Sequence, residues 1–150
     1  MPTINNVFSS DGLLAGAIKG FVPREAQTEM AKAVKRAIDT TGSLIVEAGT
    51  GTGKTFAYLA PALLSDGKAI VSTGTKNLQE QLFHRDLPLV KKALGSKRKT
   101  ALLKGRSNYL CLHRVAQHSG NSTLVEKEVL GQLSEVKRWS STTKTGDMGE

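Results

Sequence analysis

The sequence predicts an α/β fold in which a parallel sheet is flanked by helices. Three short apolar segments, at residues 43–47, 68–73 and 99–104, have the length and the branched residues that are typical of buried strands. Stretches with a helical spacing of apolar residues separate these segments, and a glycine-rich turn follows the first of them. Strands that alternate with helices at these distances indicate βαβ units, in which neighbouring strands run parallel.

Helices are predicted between and before these strands. Their ranges are about 23–39, 53–65, 75–85 and 86–94. Pro23 suits the first turn of the first helix, because proline lacks the N–H that is unpaired there anyway. Pro61 is expected to kink or shorten the second helix. Residues 1–20 are rich in Gly, Ser and Asn and are predicted to be an irregular lead-in.

The alternation of strands and helices stops after Lys104. Residues 105–121 are predicted to be loop with a short helix, and Thr123 with Glu126 has the spacing of a capping box that begins another helix. The composition from Ser140 onward is polar and predicts a flexible tail. The predicted organisation is therefore a lead-in, a first domain and a separate C-terminal region, at residues 1–20, 21–104 and 105–150.

Residues 47–55, Glu-Ala-Gly-Thr-Gly-Thr-Gly-Lys-Thr, lie between the first strand and the second helix. This is the context that a phosphate-binding loop requires, because glycines let successive N–H groups converge on one anion at a helix start. The only departure from the usual pattern is a small alanine at the first position, Ala48. A chance match in a structural loop is the alternative, and the correct flanks argue against it. The chain is predicted to bind a nucleoside triphosphate.

Two side chains of this loop carry chemistry. Lys54 supplies a full positive charge for the β- and γ-phosphates, and the Thr55 hydroxyl is a ligand for Mg²⁺. We assign both a catalytic role. The predicted ATP-binding residues of the loop are Ala48, Gly49, Thr50, Gly51, Thr52, Gly53, Lys54 and Thr55.

Composition limits the other possibilities. The 150 residues can bury one domain-sized core, and no apolar run approaches the roughly 20 residues that cross a bilayer. Polar residues occupy the place where a signal peptide has its apolar segment, so we expect no secretion and no membrane. A single cysteine excludes an internal disulfide and fits the reducing cytoplasm.

Positive charge is concentrated between His84 and Arg114. This stretch has nine basic residues and one acid, Asp86, so its net charge of +8 equals that of the whole chain. Such a field attracts polyanions. A solvated face with a basic loop at residues 97–99 is an equally good explanation of the charge alone.

Two further segments are candidates for ligand contact. Gln27 offers a donor and an acceptor side by side, as adenine recognition requires, and Arg24 could orient it; the alternative is an ordinary helix start. The second strand ends in hydroxyl-bearing residues and a glycine, which suit a phosphodiester backbone. Helix capping by Thr75 is the simpler function there. The candidate contacts to such a backbone are Thr73, Gly74, Thr75, Lys76 and Asn77.

Four motifs, in order, resemble the N-terminus of the XPD/DinG-type superfamily 2 DNA helicases. They are Phe-x-Pro-Arg-Glu-x-Gln, the loop at 47–55, Ser-Thr-Gly-Thr-Lys-Asn-Leu-Gln-Glu-Gln-Leu and Leu-Leu-Lys-Gly-Arg-Ser-Asn-Tyr-Leu-Cys. The resemblance implies a RecA-like P-loop fold, here incomplete, and an ATP-driven, Mg²⁺-dependent helicase. It implies translocation from 5′ to 3′ on single-stranded DNA, with a role in DNA repair or replication stress and partners from those processes. By this likeness Arg24 and Gln27 read adenine, and residues 73–77 touch the strand.

The resemblance also gives Cys111 a role. In the family the cysteine after Gly-Arg-x-Asn-Tyr-x is the first of four ligands to a [4Fe–4S] cluster, in a helical insertion that would begin at residue 105. One cysteine cannot hold such a cluster, so we expect it only in a full-length protein. The alternative is a free thiol packed between Leu110 and Leu112.

No acid after Thr55 follows an apolar run of four residues, so the second Mg²⁺-holding acid of a P-loop NTPase is missing. We therefore expect the chain alone not to hydrolyse ATP. Two other functions stay open on the residues alone. One is a P-loop kinase or small-molecule ATPase, and the other is a non-catalytic fragment that binds nucleotide or DNA.

Overall fold

The computed structural model of the protein describes residues 2–120 and 127–149. It divides the chain into two compact units, Met1–Ala101 and Leu102–Glu150. The sequence predicts a boundary three residues later, after residue 104.

The first unit is built from helices in its described part. These are α1 (Ile4–Phe8), α2 (Leu13–Ala17), α3 (Glu25–Asp39), α4 (Lys54–Leu64), α5 (Lys76–Gln81) and α6 (Leu87–Leu94). A π-helical turn, Leu82–Asp86, joins α5 to α6. The helices predicted after residue 20 are thus confirmed to within a few residues, and α4 continues through Pro61 to Leu64.

The prediction of an irregular lead-in at residues 1–20 is wrong. Thr3 caps α1, because its hydroxyl accepts a hydrogen bond from the N–H of Asn6. Val7 and Phe8 on α1 and Leu14 on α2 are at most 1% exposed and belong to the core. Helices of five residues are too short to give a periodic signal, so packing rather than local preference holds them.

The core of this unit lies where α3 and α6 pack against α4. Ala31 on α3 and Ala57 and Ala60 on α4 are fully buried, and such small side chains let helix backbones approach closely. Val90 on α6 is also fully buried. This packing fixes the direction of α4, whose first turn carries the phosphate-loop residues.

The predicted parallel sheet is absent from residues 2–120 and 127–149. Segments 43–47, 68–73 and 99–104 make no ladder with one another, and Ile45, Ile70 and Leu103 are 98%, 96% and 80% exposed. A strand exists only through its neighbours, and a parallel strand also needs helices over both faces. Here the helices bury their apolar surfaces on each other, which leaves the three segments uncovered.

Helices α5 and α6 follow one another with only the π-helical turn between them. The sequence predicts two separate helices, with a start at the residues before Pro88. Pro88 lies at the beginning of α6 and has no N–H to donate to the turn before it. A π-helical turn widens the backbone at this point, and the chain continues as a helix.

The described part of the second unit contains a 3₁₀ turn, Arg106–Asn108, and two helices, α7 (Leu112–Gly120) and α8 (Lys127–Ser140). The short helix predicted within residues 105–121 is therefore confirmed. The capping box Thr123–Glu126 lies outside the described residues. No helix in the described part of the chain is long and apolar enough to span a bilayer.

The tail after Ser140, predicted to be flexible, is tied to the start of this unit. Tyr109 and Asp147 form an isolated antiparallel bridge. The Asp147 carboxylate also makes an ion pair of 2.5 Å with Lys104, and the two side chains are only 14% and 10% exposed. These contacts span some 40 residues, so local composition could not predict them.

Candidate nucleotide-binding site

The backbone of the loop at residues 47–55 depends on glycine at two positions. Gly51 and Gly53 have φ angles of 74° and 81°, in the left-handed region that other residues rarely adopt. Gly53 is also the residue from which α4 begins. The partial positive charge of the α4 N-terminus is therefore directed into the loop.

The ammonium group of Lys54 lies inside the loop. Its Nζ donates to the carbonyl oxygen of Ala48 at 2.7 Å and to that of Gly49. Thr52 Oγ1 donates to the Gly49 carbonyl at 3.0 Å, which closes the turn. The positive charge is thus bound by neutral carbonyl oxygens. The negatively charged oxygens of a phosphate can take the place of these carbonyls.

Arg24 and Gln27 both contact this loop. The Arg24 guanidinium donates to the carbonyl of Gly51, and Gln27 Nε2 donates to that of Gly53 at 3.0 Å. Gln27 is 95% buried against the loop. A Cβ atom at Gly53 would overlap the side-chain amide of Gln27, so a substitution there would displace that amide.

A cleft of about 300 Å³ lies between α3 and the beginning of the loop. Its lining combines apolar side chains with a few polar ones. Members are Gln27, Met30 and Ala33 from α3, and Val46, Glu47 and Thr52 from the loop side. Gln27 therefore borders both the cleft and the loop.

Tyr58 lies one turn after Thr55 on α4. Burial raises the pKa of the Tyr58 hydroxyl, the Thr55 hydrogen bond lowers it, and the charge of Asp86 raises it, with a net increase. The hydroxyl of Tyr58 is therefore protonated at neutral pH and available as a donor. Asp86 itself is 96% buried in the π-helical turn.

The segment at residues 73–77 is organised by helix capping. Thr75 Oγ1 accepts from the N–H of Leu78 at 3.3 Å, and Thr73 Oγ1 donates to the Thr75 carbonyl at 3.2 Å. The capping function of Thr75 is confirmed. Residues 74–77 are exposed, so their groups are accessible to a ligand.

A scan against protein-family models matches residues 24–143 to the DEAD/DEAH box helicase model. The chain belongs to the DEAD/DEAH box helicase family. Membership implies a RecA-like P-loop fold. The resemblance drawn from the four sequence motifs is thereby confirmed.

Curated relatives agree with this assignment. The chain is 59% identical to the ATP-dependent DNA helicase YoaA of Haemophilus influenzae, covering 98% of this chain and 23% of that protein. It is 53% identical to YoaA of Escherichia coli, over 94% of this chain and 22% of that protein. It is 41% identical to the ATP-dependent helicase DinG of Mycobacterium tuberculosis, over 89% of this chain and 23% of that protein. The chain thus spans about a quarter of the length of these relatives. No solved structure gave a significant match.

Two basic residues of the stretch between His84 and Arg114 are bonded to backbone carbonyl groups. Arg98 donates to the carbonyls of Ser65 and Gly67 at the end of α4, and Lys91 Nζ donates to the Arg98 carbonyl at 2.6 Å. Arg98 thus binds the chain at the C-terminal end of α4. Lys97 and Lys99, its neighbours, are exposed.

Cys111 is exposed, so the alternative of a thiol packed between Leu110 and Leu112 is wrong. It is the only cysteine in the sequence, and the residues present therefore do not fit a [4Fe–4S] cluster, which takes four thiolates. Within the described residues, no group of three or more His, Cys, Asp or Glu could hold a metal ion.

Sequence reasoning missed Tyr58 and Asp86 as neighbours of the site. Tyr58 lies three residues after Thr55, which is the spacing of one helical face. Asp86 is the one acid in the basic stretch. Both residues can be picked out in the sequence. That they lie on two elements in contact follows only from the packing of α4 against the π-helical turn.

Proposed function

We propose that this chain is the ATP-binding part of an ATP-dependent DNA helicase. The observation that carries the proposal is the loop at residues 49–55, with Lys54 held by carbonyl groups and with Arg24 and Gln27 bonded to the same loop. The relatives named ATP-dependent DNA helicase support the wider function.

In the proposed site, Lys54 exchanges its bonds to Ala48 and Gly49 for bonds to the β- and γ-phosphates. The N–H groups of the loop and the α4 N-terminus add to the attraction. Mg²⁺, when bound, neutralises charge on the phosphates during hydrolysis. Thr55 fits this ion, because a hydroxyl is the kind of oxygen ligand that Mg²⁺ takes.

We propose that Arg24 and Gln27 select adenine. The amide of Gln27 has two N–H donors and one carbonyl acceptor, and its bond to Gly53 uses one donor. The same side chain can therefore bind a base while it holds the loop. This arrangement joins base recognition to the conformation of the phosphate site.

The DNA strand is proposed to contact residues 73–77 and the exposed lysines Lys97 and Lys99. Exposed hydroxyl, amide and ammonium groups bind phosphates without reading sequence. We infer movement from 5′ to 3′ on single-stranded DNA, in the cytoplasm, together with DNA repair or replication proteins. These inferences rest on the resemblance to the XPD/DinG type.

Turnover and cluster binding are proposed for a longer protein only. The chain has no acid placed to hold Mg²⁺ opposite Thr55, so we infer that alone it binds ATP without hydrolysing it. Cys111 is proposed to supply one cluster thiolate, with three more from other residues. Its exposure leaves it accessible for this role.

The test is the ATPase activity of the intact protein with and without single-stranded DNA. We expect DNA to stimulate hydrolysis and Lys54→Ala to abolish it, while Lys32→Ala, an exposed change on α3, leaves it unchanged. Hydrolysis that is indifferent to DNA would instead support a kinase or small-molecule ATPase. Equal activity in the Lys54→Ala protein would exclude the proposed site.

A further inference from the structure

The tripeptide Ser-Asp-Gly occurs at residues 10–12 and again at residues 65–67. An aspartate that precedes glycine is chemically labile, because glycine has no side chain to hinder attack by its backbone nitrogen on the aspartate carboxyl group. The two copies have the same sequence. Their structural surroundings therefore decide whether one reacts faster than the other.

The first copy is held in the turn between α1 and α2. The N–H of Gly12 donates to the Ser9 carbonyl at 3.0 Å, and the Gly12 carbonyl accepts from the N–H of Gly16 at 3.0 Å. A Cβ atom at Gly12 would lie 2.6 Å from the Asn6 carbonyl oxygen, so the backbone is closely surrounded here. The nitrogen that would have to attack is thus already hydrogen-bonded, and its peptide group cannot turn freely.

The second copy forms a bend just after α4. Asp66 and Gly67 are both exposed, and the space around the Cα of Gly67 is open. Among the residues that the structure describes, none accepts a hydrogen bond from the N–H of Gly67. The carboxyl group of Asp66 and the nitrogen of Gly67 can therefore approach each other without breaking a hydrogen bond.

We propose that Asp66-Gly67 is a site of spontaneous modification, at which the aspartate isomerises to isoaspartate. The Gly67 nitrogen forms a bond to Cγ of Asp66, and the N–H proton leaves with the carboxyl hydroxyl as water, which gives a cyclic succinimide. Water then adds to the main-chain carbonyl carbon of Asp66 and breaks its bond to the Gly67 nitrogen. The backbone afterwards runs through the Asp66 side chain. One water leaves and one is taken up, so no other reactant is needed.

The modified segment is the one that Arg98 binds. Its guanidinium donates to the carbonyls of Ser65 and Gly67, which lie on either side of the reacting peptide group. Ser65 is fixed at the end of α4, because its N–H donates to the Pro61 carbonyl at 2.9 Å. Isomerisation inserts one more carbon atom into the backbone between the two bound carbonyls, so one guanidinium no longer fits both. The reaction therefore releases the C-terminal end of α4.

The experiment follows both copies in the same molecule by peptide mapping. The intact protein is kept folded at neutral pH for several weeks in water enriched in heavy oxygen. Trypsin then places Asp11 and Asp66 in separate peptides, residues 1–19 and 55–68. An isoaspartate peptide elutes apart from its parent and carries one heavy oxygen from the water that opened the succinimide. We expect isoaspartate at residue 66 to exceed that at residue 11 by about fivefold or more, the factor for breaking one ordinary hydrogen bond.

Two controls separate the effect of structure from that of sequence. In urea, where the chain is unfolded, the two copies should react at similar rates because their tripeptides are identical. Asp66→Glu keeps the negative charge at an exposed position, but its longer side chain would have to form a larger ring, which closes far more slowly. The modification at residue 66 should therefore disappear in this variant, and that at residue 11 should stay unchanged.

The release of α4 is measured by the Tm of the aged protein. Wild-type protein should develop a transition at lower temperature in proportion to its isoaspartate content at residue 66. Aged Asp66→Glu protein should keep the Tm of the fresh variant, which excludes other damage as the cause.

Equal isoaspartate at the two residues in folded protein would overturn the proposal, and so would its absence at residue 66. Isoaspartate at residue 66 with an unchanged Tm would contradict the release of α4. The measurement uses neither ATP nor DNA, so each of these outcomes leaves the proposed function in place.

Discussion

At the scale of single residues, the site depends on close contacts of side chains with the backbone of the loop at residues 47–55. Gly53 has a left-handed backbone, and a side chain there would also displace the buried amide of Gln27. Lys54 and Arg24 hold the same loop through carbonyl groups at Ala48 and Gly51. The loop is therefore shaped before a nucleotide arrives.

Gly53→Ala should lower the stability of the chain by about 1–3 kcal/mol, because the side chain is strained at this φ angle and overlaps Gln27. Affinity for Mg·ATP should fall as well. Urea denaturation and nucleotide titration measure the two effects. Gly67→Ala is the matched control. Its Cβ would enter open space, and its φ angle lies outside the left-handed region. Equal stability of the two variants would show that the loop relaxes around the added carbon.

At the scale of elements, the nucleotide-loop helix α4 is fixed at both ends. Its first turn follows the loop, and the residues just after its last turn are bound by the Arg98 guanidinium through the carbonyls of Ser65 and Gly67. A cation at a helix C-terminus also complements the helix dipole. The basic charge at position 98 is thus used within the fold, whereas composition alone left a polyanion-binding surface and a solvated basic loop equally open.

Arg98→Ala should destabilise the first unit by about 1–3 kcal/mol, because hydrogen bonds from a charged donor are lost. Thermal denaturation measures this loss. Lys97→Ala, one residue earlier and exposed, should leave the Tm unchanged. A stable Arg98→Ala protein would mean that water replaces the guanidinium at no cost.

The double variant Lys97→Ala with Lys99→Ala should weaken single-stranded DNA binding by the intact protein. Each lost phosphate contact lowers the slope of log affinity against log salt by about 0.7. A decrease of about 1.4 is therefore expected in a fluorescence titration at several salt concentrations. Lys32→Ala, outside the basic stretch, should keep the wild-type slope. An unchanged slope in the double variant would place both lysines away from the DNA.

At the scale of the whole molecule, helices pack on one another while the predicted strands remain uncovered. Ile45 and Ile70 are almost fully exposed, although both lie in segments whose sequence is typical of a buried sheet. The chain spans about a quarter of its curated relatives, and the family implies a sheet-containing P-loop fold. We infer that the missing neighbours of these segments belong to other parts of an intact protein.

Ile45→Lys tests this inference in two contexts. In the 150-residue chain the change should alter stability by less than about 0.5 kcal/mol, because the side chain is exposed. In the intact protein it should cost about 3 kcal/mol, because it would bury an unpaired charge in a sheet. Chemical denaturation of both proteins measures the difference. Equal, small effects in the two would contradict burial of this segment.

The sequence could predict whatever depends on neighbouring residues. Helices α3, α4 and α6 follow from spacing and terminal residues, and the nucleotide loop follows from glycines before Lys54. It could not predict α1 and α2, whose five residues are stable only because Phe8 and Leu14 are buried by distant helices. Nor could it predict the tail, because the pair between Lys104 and Asp147 joins residues far apart in the chain.

The amino-acid sequence by itself determined the nucleotide loop and the family, because both reside in short, ordered motifs whose chemistry depends on residue type and spacing. Only the tertiary structure decided that Arg98 binds the end of α4, that Gln27 donates to the Gly53 carbonyl, and that Lys104 pairs with Asp147. The physical reason is that each of these contacts depends on burial and distance between separate elements. Those quantities arise only when the helices pack.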